Sequence, residues 1–179
     1  MGIEILSQHG RLFICEGAAQ DVVFAQDTWL RVEILPYTSI NHAAELLKSK
    51  ARRWSHYSIN NHRRAELILD KVPSAKIKRY DFLEEIPKTT IGCFALLSES
   101  EMILTPETTC PLPFGEIEFN EDKINPPSRA YLKLWELFTL YGYKPEAGMK
   151  TIDVGSCPGG WTWVLQTVGT NVVSVDKAP

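Results

Sequence analysis

The sequence predicts an α/β chain in two parts: a mixed α+β unit over residues 1–120, then the opening of a parallel α/β sheet over residues 121–179. Three observations carry this. Thr151 to Val154 is a short apolar-rich run that breaks into Gly155-Ser156-Cys157-Pro158-Gly159-Gly160, then resumes at helical spacing in Trp161, Val164, Leu165 and Val168. A second short run, Asn171-Val-Val-Ser-Val175, follows and ends on Asp176. Upstream, short β-type runs mix with two helical patterns, and a polar stretch closing on Pro126-Pro127 separates the parts.

Taken in order, Arg11 to Cys15 and Asp21 to Ala25 read as short strands, and Trp29 to Leu35 as a half-buried strand ended by Pro36. Ser39 or Asn41 caps a helix expected to run to about Tyr57, with Ala43, Leu46, Leu47, Ala51 and Trp54 on its inner stripe. A second helix is expected from Asn61 to Val72, before Pro73, and a strand from Ala75 to Tyr80. Ile91–Leu97 and Met102–Thr105 form a hairpin turning at 98–101. The proline-bearing stretch 105–113 is loop, and Glu116–Asn120 is one more strand. A helix from Pro127 or Ser128 to about Tyr141 opens the second part, since proline is tolerated in a first helical turn.

Bulk properties narrow the function classes. The 179 residues carry 19 Lys and Arg against 22 Asp and Glu, a net charge of −3. The N-terminus lacks a signal-peptide pattern, and no apolar run approaches the roughly 20 residues needed to span a bilayer, so a cytoplasmic protein without a membrane partner is expected. Cys15, Cys93, Cys110 and Cys157 make no C-x-x-C pair, and the four histidines show no zinc-type spacing with them. Free thiols and no metal site are expected.

The distribution of charge says more than its total. From Lys48 to Arg79 there are ten Lys and Arg, opposed by Glu66 and Asp70 alone. Within that window Arg52, Arg53, Arg63 and Arg64 lie beside Trp54, His56, Tyr57 and His62, the mixture of cations and rings that contacts RNA phosphates and unstacked bases. The competing reading is a pair of solvated helix faces with Trp54 buried.

The glycine turn is the strongest chemical signal. Gly155 permits a tight turn, and Gly159-Gly160 lets a ligand approach the backbone. The amides at the following helix start suit an anionic group. Asp176, at the end of the next strand, stands where such folds bind ribose hydroxyls. The turn has no Lys-Ser/Thr after its glycines and is not G-x-G-x-x-G, which sets aside a Walker loop and weakens a nicotinamide site.

D-V-G-S-C-P-G-G-W-T, followed by V-S-V-D-K-A-P, resembles the S-adenosylmethionine site of FtsJ-type RNA ribose 2′-O-methyltransferases. The upstream P-S-R-A-Y-L-K-L of residues 127–134 resembles that family's S-R-A-x-x-K-L helix, and the likeness is greatest to the group that includes the bacterial enzyme methylating a cytidine ribose of 23S rRNA. It covers about residues 125–179; the first 120 residues show no motif of the family. The resemblance implies a Rossmann-like methyltransferase domain, S-adenosylmethionine as cofactor and RNA, ribosomal by the nearest group, as substrate. It places the cofactor on Asp153, Gly155, Ser156, Cys157, Pro158, Gly159, Gly160, Trp161 and Asp176. Lys133 matches the first lysine of a catalytic Lys-Asp-Lys-Glu set, where a lysine orients a ribose hydroxyl and stabilises its developing alkoxide. Alone, Lys133 reads as a solvated lysine on an amphipathic helix; Ser128-Arg129 before it and the glycine turn after it turn the reading to a catalytic position. Arg129 is a candidate phosphate contact, with a surface ion pair as its other reading. The later Asp, Lys and Glu of the set do not occur before Pro179, so the chain is expected to be a C-terminally truncated form, inactive alone. A non-catalytic RNA-binding module with a methyltransferase remnant is the alternative. A small-molecule methyltransferase would share the turn but explains neither Lys133 nor the basic window. The oligomeric state is left open.

Overall fold

The computed structural model describes residues 3–18 and 25–177, which fall into two compact units: Met1–Ile77 with Pro87–Glu116, and Lys78–Ile86 with Ile117–Pro179. The expected strand at Asp21–Ala25 lies almost wholly outside the described residues.

The first unit begins with a hairpin of β1 (Ile5–His9) and β2 (Leu12–Cys15), antiparallel and turning at Gly10, whose φ of +62° suits glycine. There follow β3 (Glu33–Pro36), α1 (Ile40–Lys48), β4 (Trp54–His56) and α2 (His62–Leu69). After β5 (Arg79–Tyr80), which belongs to the other unit, come β6 (Gly92–Leu96) and β7 (Glu101–Thr105). Four of these strands make one sheet in the order β3-β7-β6-β4, antiparallel except for the β4–β6 pair. The 92–105 hairpin agrees with the sequence reading. Its residues Phe94, Leu96, Met102 and Leu104 form a core with Ala43, Ala44 and Leu47 of α1 and Ala65 and Ile68 of α2.

Ser39 does cap α1: its Oγ accepts from the His42 amide at 3.1 Å. The helix stops at Lys48, however, and does not reach Tyr57. Ala51 and Trp54 continue the helical spacing of the apolar stripe, but Trp54 is claimed by the sheet. It pairs with Gly92 across β4 and β6, and a Cβ on Gly92 would stand 2.7 Å from Trp54 Cε3. The missing side chain on one strand makes room for the ring on the other. The strand expected at Trp29–Leu35 is ordered as β3 only from Glu33, and Pro36 is its last residue. The strand expected at Ala75–Tyr80 shrinks to the two residues of β5.

The second unit pairs β5 with β8 (Glu118–Phe119) in parallel. That pairing, and Phe82 stacked on Trp135 at 4.8 Å, take Lys78–Ile86 out of the first unit, where the sequence reading had left it. Then come α3 (Tyr131–Tyr141), β9 (Lys150–Val154), α4 (Gly160–Thr167) and β10 (Asn171–Val175). β9 and β10 run parallel in register from Lys150↔Asn171 to Val154↔Val175. Helix α3 starts at Tyr131, after the turn at 128–130, later than the Pro127 or Ser128 expected, and ends at Gly142 with φ +62°. Trp135 is the hub of its packing, edge-on to Tyr131 at 4.7 Å and to Phe119 at 5.6 Å. On one face of the strand pair, Asp153 and Ser174 meet α4; Ile152, Val154, Val173 and Val175 stand exposed on the other.

Candidate cofactor-binding site

The glycine turn is tied to the end of β10 by three backbone amides. Gly155 N–H donates to the Val175 carbonyl at 2.8 Å and Ser156 N–H to the same oxygen at 3.3 Å. Cys157 N–H donates to Asp176 Oδ2 at 2.8 Å. Gly155 has φ +77° and Gly159 φ +98°, both in the region that favours glycine. A Cβ on Gly155 would meet nothing within 4 Å, so the backbone is open to a ligand there. Past the cis Cys157–Pro158 bond, Gly159 N–H donates to the Ser156 carbonyl, and α4 begins at Gly160. The opening amides of a helix have no acceptors within it and carry its positive end, which suits a carboxylate.

Asp153 is turned inward. Only 6% exposed, its Oδ2 accepts from Thr162 Oγ1 at 2.6 Å, and Thr162 Oγ1 lies 2.8 Å from Ser174 Oγ. A hydroxyl has one proton, and here Thr162 gives it to the carboxylate, so Ser174 must donate to Thr162. The result is a directed chain, Ser174 to Thr162 to Asp153, that locks β10, α4 and β9 together beneath the turn. Sequence reasoning named Asp153 and missed Thr162 and Ser174. Their signal was the position of Thr162 on the inner side of the helix and of Ser174 opposite Asp153 in a parallel pair.

The lysine helix meets the other side of the turn. A Cβ on Gly160 would stand 2.7 Å from Ser128 Oγ and 3.2 Å from the Tyr131 amide nitrogen, and one on Gly159 3.7 Å from Pro127 Cγ. Trp161 Nε1–H donates to the Ala130 carbonyl at 3.0 Å. Lys133, in the first turn of α3, is exposed. Arg129 pairs with Glu121 at 2.8 Å, with its side chain 79% exposed, which is the surface-pair alternative. A cleft of about 440 Å³ lies along this segment, lined by Glu121, Asp122, Lys123, Ser128, Arg129 and Tyr131 among others. Asp122 closes a local turn, accepting from Asn125 Nδ2 at 2.7 Å and from the Asn125 and Ile124 amides. These bonds hold its carboxyl below the usual range.

The basic residues of the first unit are arranged less uniformly than their spacing suggests. Arg52, Arg53 and Arg63 are exposed, with Arg53 Nη2 donating to Thr89 Oγ1 at 2.8 Å. Arg64 is half-buried, its guanidinium 5.5 Å from the centre of the Tyr37 ring. Trp54 is fully buried, with Nε1–H donating to the Ala51 carbonyl, so it is core and not a platform for a base. His56 is half-buried beside Phe94, and that burial lowers its pKa; Glu66 opposes the shift and His62 adds to it.

Among the described residues there is no group of three or more His, Cys, Asp and Glu placed to hold a metal, and no helix is long and apolar enough to cross a membrane.

A parallel strand pair, a glycine turn between strand and helix, and an acid after the second strand are features that α/β folds use to bind nucleotide cofactors. Residues 126–179 match the family model described as FtsJ-like methyltransferase, and over that span the resemblance read from the motifs is borne out. The chain is 37% identical over 90 residues to "Ribosomal RNA large subunit methyltransferase M" of Laribacter hongkongensis, covering 47% of this chain and 24% of that protein. It is 46% identical over 59 residues to proteins of the same name from Shewanella pealeana and Alkalilimnicola ehrlichii, covering 30% of this chain and 16% of each. The chain thus matches about a quarter or less of the length of these relatives.

Proposed function

We propose that this chain carries the cofactor end of an S-adenosylmethionine-dependent RNA ribose 2′-O-methyltransferase, in a Rossmann-like second domain, with ribosomal RNA as substrate. The observation that carries the reading is the bond from the Cys157 amide to Asp176 Oδ2, which sets an acid against the glycine turn at the ends of two parallel strands. The residues present fit such a group. Asp176, after the second strand, would take ribose hydroxyls, the space beside Gly155 admits a ligand to the backbone, and the amides of α4 suit a carboxylate. Asp153, through Thr162, fixes the height of that helix over β9. When bound, S-adenosylmethionine supplies an electrophilic methyl on a sulfonium.

Lys133, exposed on α3, is the residue for the RNA hydroxyl: a cation positioned there orients the nucleophile and stabilises negative charge as its proton leaves. Arg129 is held by Glu121 until a phosphate competes for it. Arg52, Arg53 and Arg63 on the first unit are the RNA phosphate contacts; Arg64, engaged with Tyr37, contributes less. A protein with this proposed role would act in the cytoplasm.

Calorimetric titration with S-adenosylmethionine tests the reading, with Asp176→Ala as the control. Binding by the chain that is lost in the variant is expected. A folded chain that binds RNA and not the cofactor would overturn it in favour of a non-catalytic RNA-binding module.

A further inference from the structure

The carbonyl of Ala130 accepts two hydrogen bonds. One is from the Trp161 indole at 3.0 Å, the other from the Lys133 amide at 3.2 Å, which closes the first turn of α3. The lysine helix and the cofactor turn therefore share one acceptor atom. Around it the two segments touch with no slack, because the nearest neighbours of a Cβ on Gly160 include the Tyr131 backbone nitrogen at 3.2 Å, which cannot swing aside as a long side chain can. Two residues further along, Trp163 packs edge-on against Tyr131 at 5.6 Å. Helix α3 has no side-chain cap at Ala130; its start is held also by the Leu132 amide donating to the Arg129 carbonyl at 3.2 Å and by the Tyr131 hydroxyl donating to the Asp122 carbonyl at 3.0 Å.

We infer that the Trp161 indole is a positioning group, coupling the cofactor turn to Lys133 through the Ala130 carbonyl, and that this side chain is not a cofactor contact as its place in the motif implies. This rests on the function proposed above. A displacement at Gly159-Gly160 is carried by the indole to the peptide that sets where Lys133 starts. Alignment is what such an enzyme contributes, and an error of about 1 Å can cost roughly a hundredfold in rate. The geometry also explains why Gly160 must lack a side chain: its hydrogen faces Ser128 Oγ, where a Cβ would stand at 2.7 Å.

The test uses the ¹⁵N-labelled chain, with Trp161→Phe and, to keep ring size and packing, replacement of the Trp161 indole by benzothiophene, which removes only the N–H. Without ligand, the Trp161 indole proton is expected to exchange about ten-fold more slowly than an exposed indole, and both replacements are expected to move the Lys133 amide resonance. With S-adenosylmethionine added, the wild-type chain is expected to show shifts at Gly155, Gly159 and Gly160 and at Lys133. Both variants should keep the glycine shifts and an affinity within about three-fold, while the Lys133 response is lost. An indole that exchanges freely, or a Lys133 amide that still follows the cofactor in the variants, overturns the inference. So does loss of binding in the benzothiophene variant, which would make the N–H a cofactor contact. A wild-type chain that binds no cofactor removes the functional reading on its own; the ligand-free exchange and the Lys133 shift then still decide the junction.

Discussion

Replacing Thr162 by Val removes one hydroxyl from the middle of the Ser174–Thr162–Asp153 chain and little else. Valine matches threonine in shape and in its restricted χ1, so α4 keeps its propensity and its packing. Ser174 is exposed and recovers a partner from water. Asp153, 6% exposed, cannot do so, and it loses its 2.6 Å donor. A buried acceptor left without a partner costs about 1–3 kcal/mol, toward the upper end for a carboxylate. At 1.4 kcal/mol per factor of ten, that corresponds to roughly 5- to 150-fold faster opening. Native-state hydrogen exchange at the Asp153 and Val173 amides reads it strand by strand, independently of the first unit. Thr162→Ser, which keeps the hydroxyl, should recover most of the protection. If Val and Ser exchange alike, or both stay within about two-fold of wild type, the hydroxyl chain does not hold the strands and the reasoning is wrong.

Three further outcomes are expected. Gly92→Ala should destabilise the first unit by about 1–3 kcal/mol through overpacking, since its Cβ would stand 2.7 Å from the Trp54 ring; the loss should shrink in a Trp54→Leu background when both are followed by urea unfolding. Burial lowers the pKa of His56, so the folded state resists its protonation while the unfolded chain accepts it; stability is therefore complete above the unfolded value of about 6.5 and falls as pH drops below it. His56→Gln should flatten that part of the pH profile, and an unchanged slope would exclude His56 as its source. Cys157, exposed in the glycine turn, should alkylate readily and be shielded by S-adenosylmethionine. Cys93, buried and pushed up to about 12, should react only on unfolding, as mass spectrometry of the labelled peptides would show.

The glycine turn between strand and helix was legible in the sequence because its determinants are local. Gly155 and Gly159 need positive φ, the run to Val154 and that from Asn171 to Val175 are short strands, and Asp176 follows the second at fixed spacing. The 92–105 hairpin and the cap at Ser39 were legible for the same reason. Helix α1 was overextended because Ala51 and Trp54 keep a 3.6-residue rhythm; only the empty space over Gly92, thirty-eight residues away, draws Trp54 into a strand. Arg64 looked like its neighbours in the basic window, and the Tyr37 ring that occupies it is likewise distant in the chain. Sequence alone therefore determined the chemistry on offer: which turn can cradle a cofactor, which lysine and which cations are available. Tertiary structure decided what each group is free to do. It buried Asp153 under Thr162, paired Arg129 with Glu121, and set Trp161 and Lys133 on one carbonyl. Those outcomes depend on which atoms meet across the fold, and the spacing of residues along a strand or helix does not encode that.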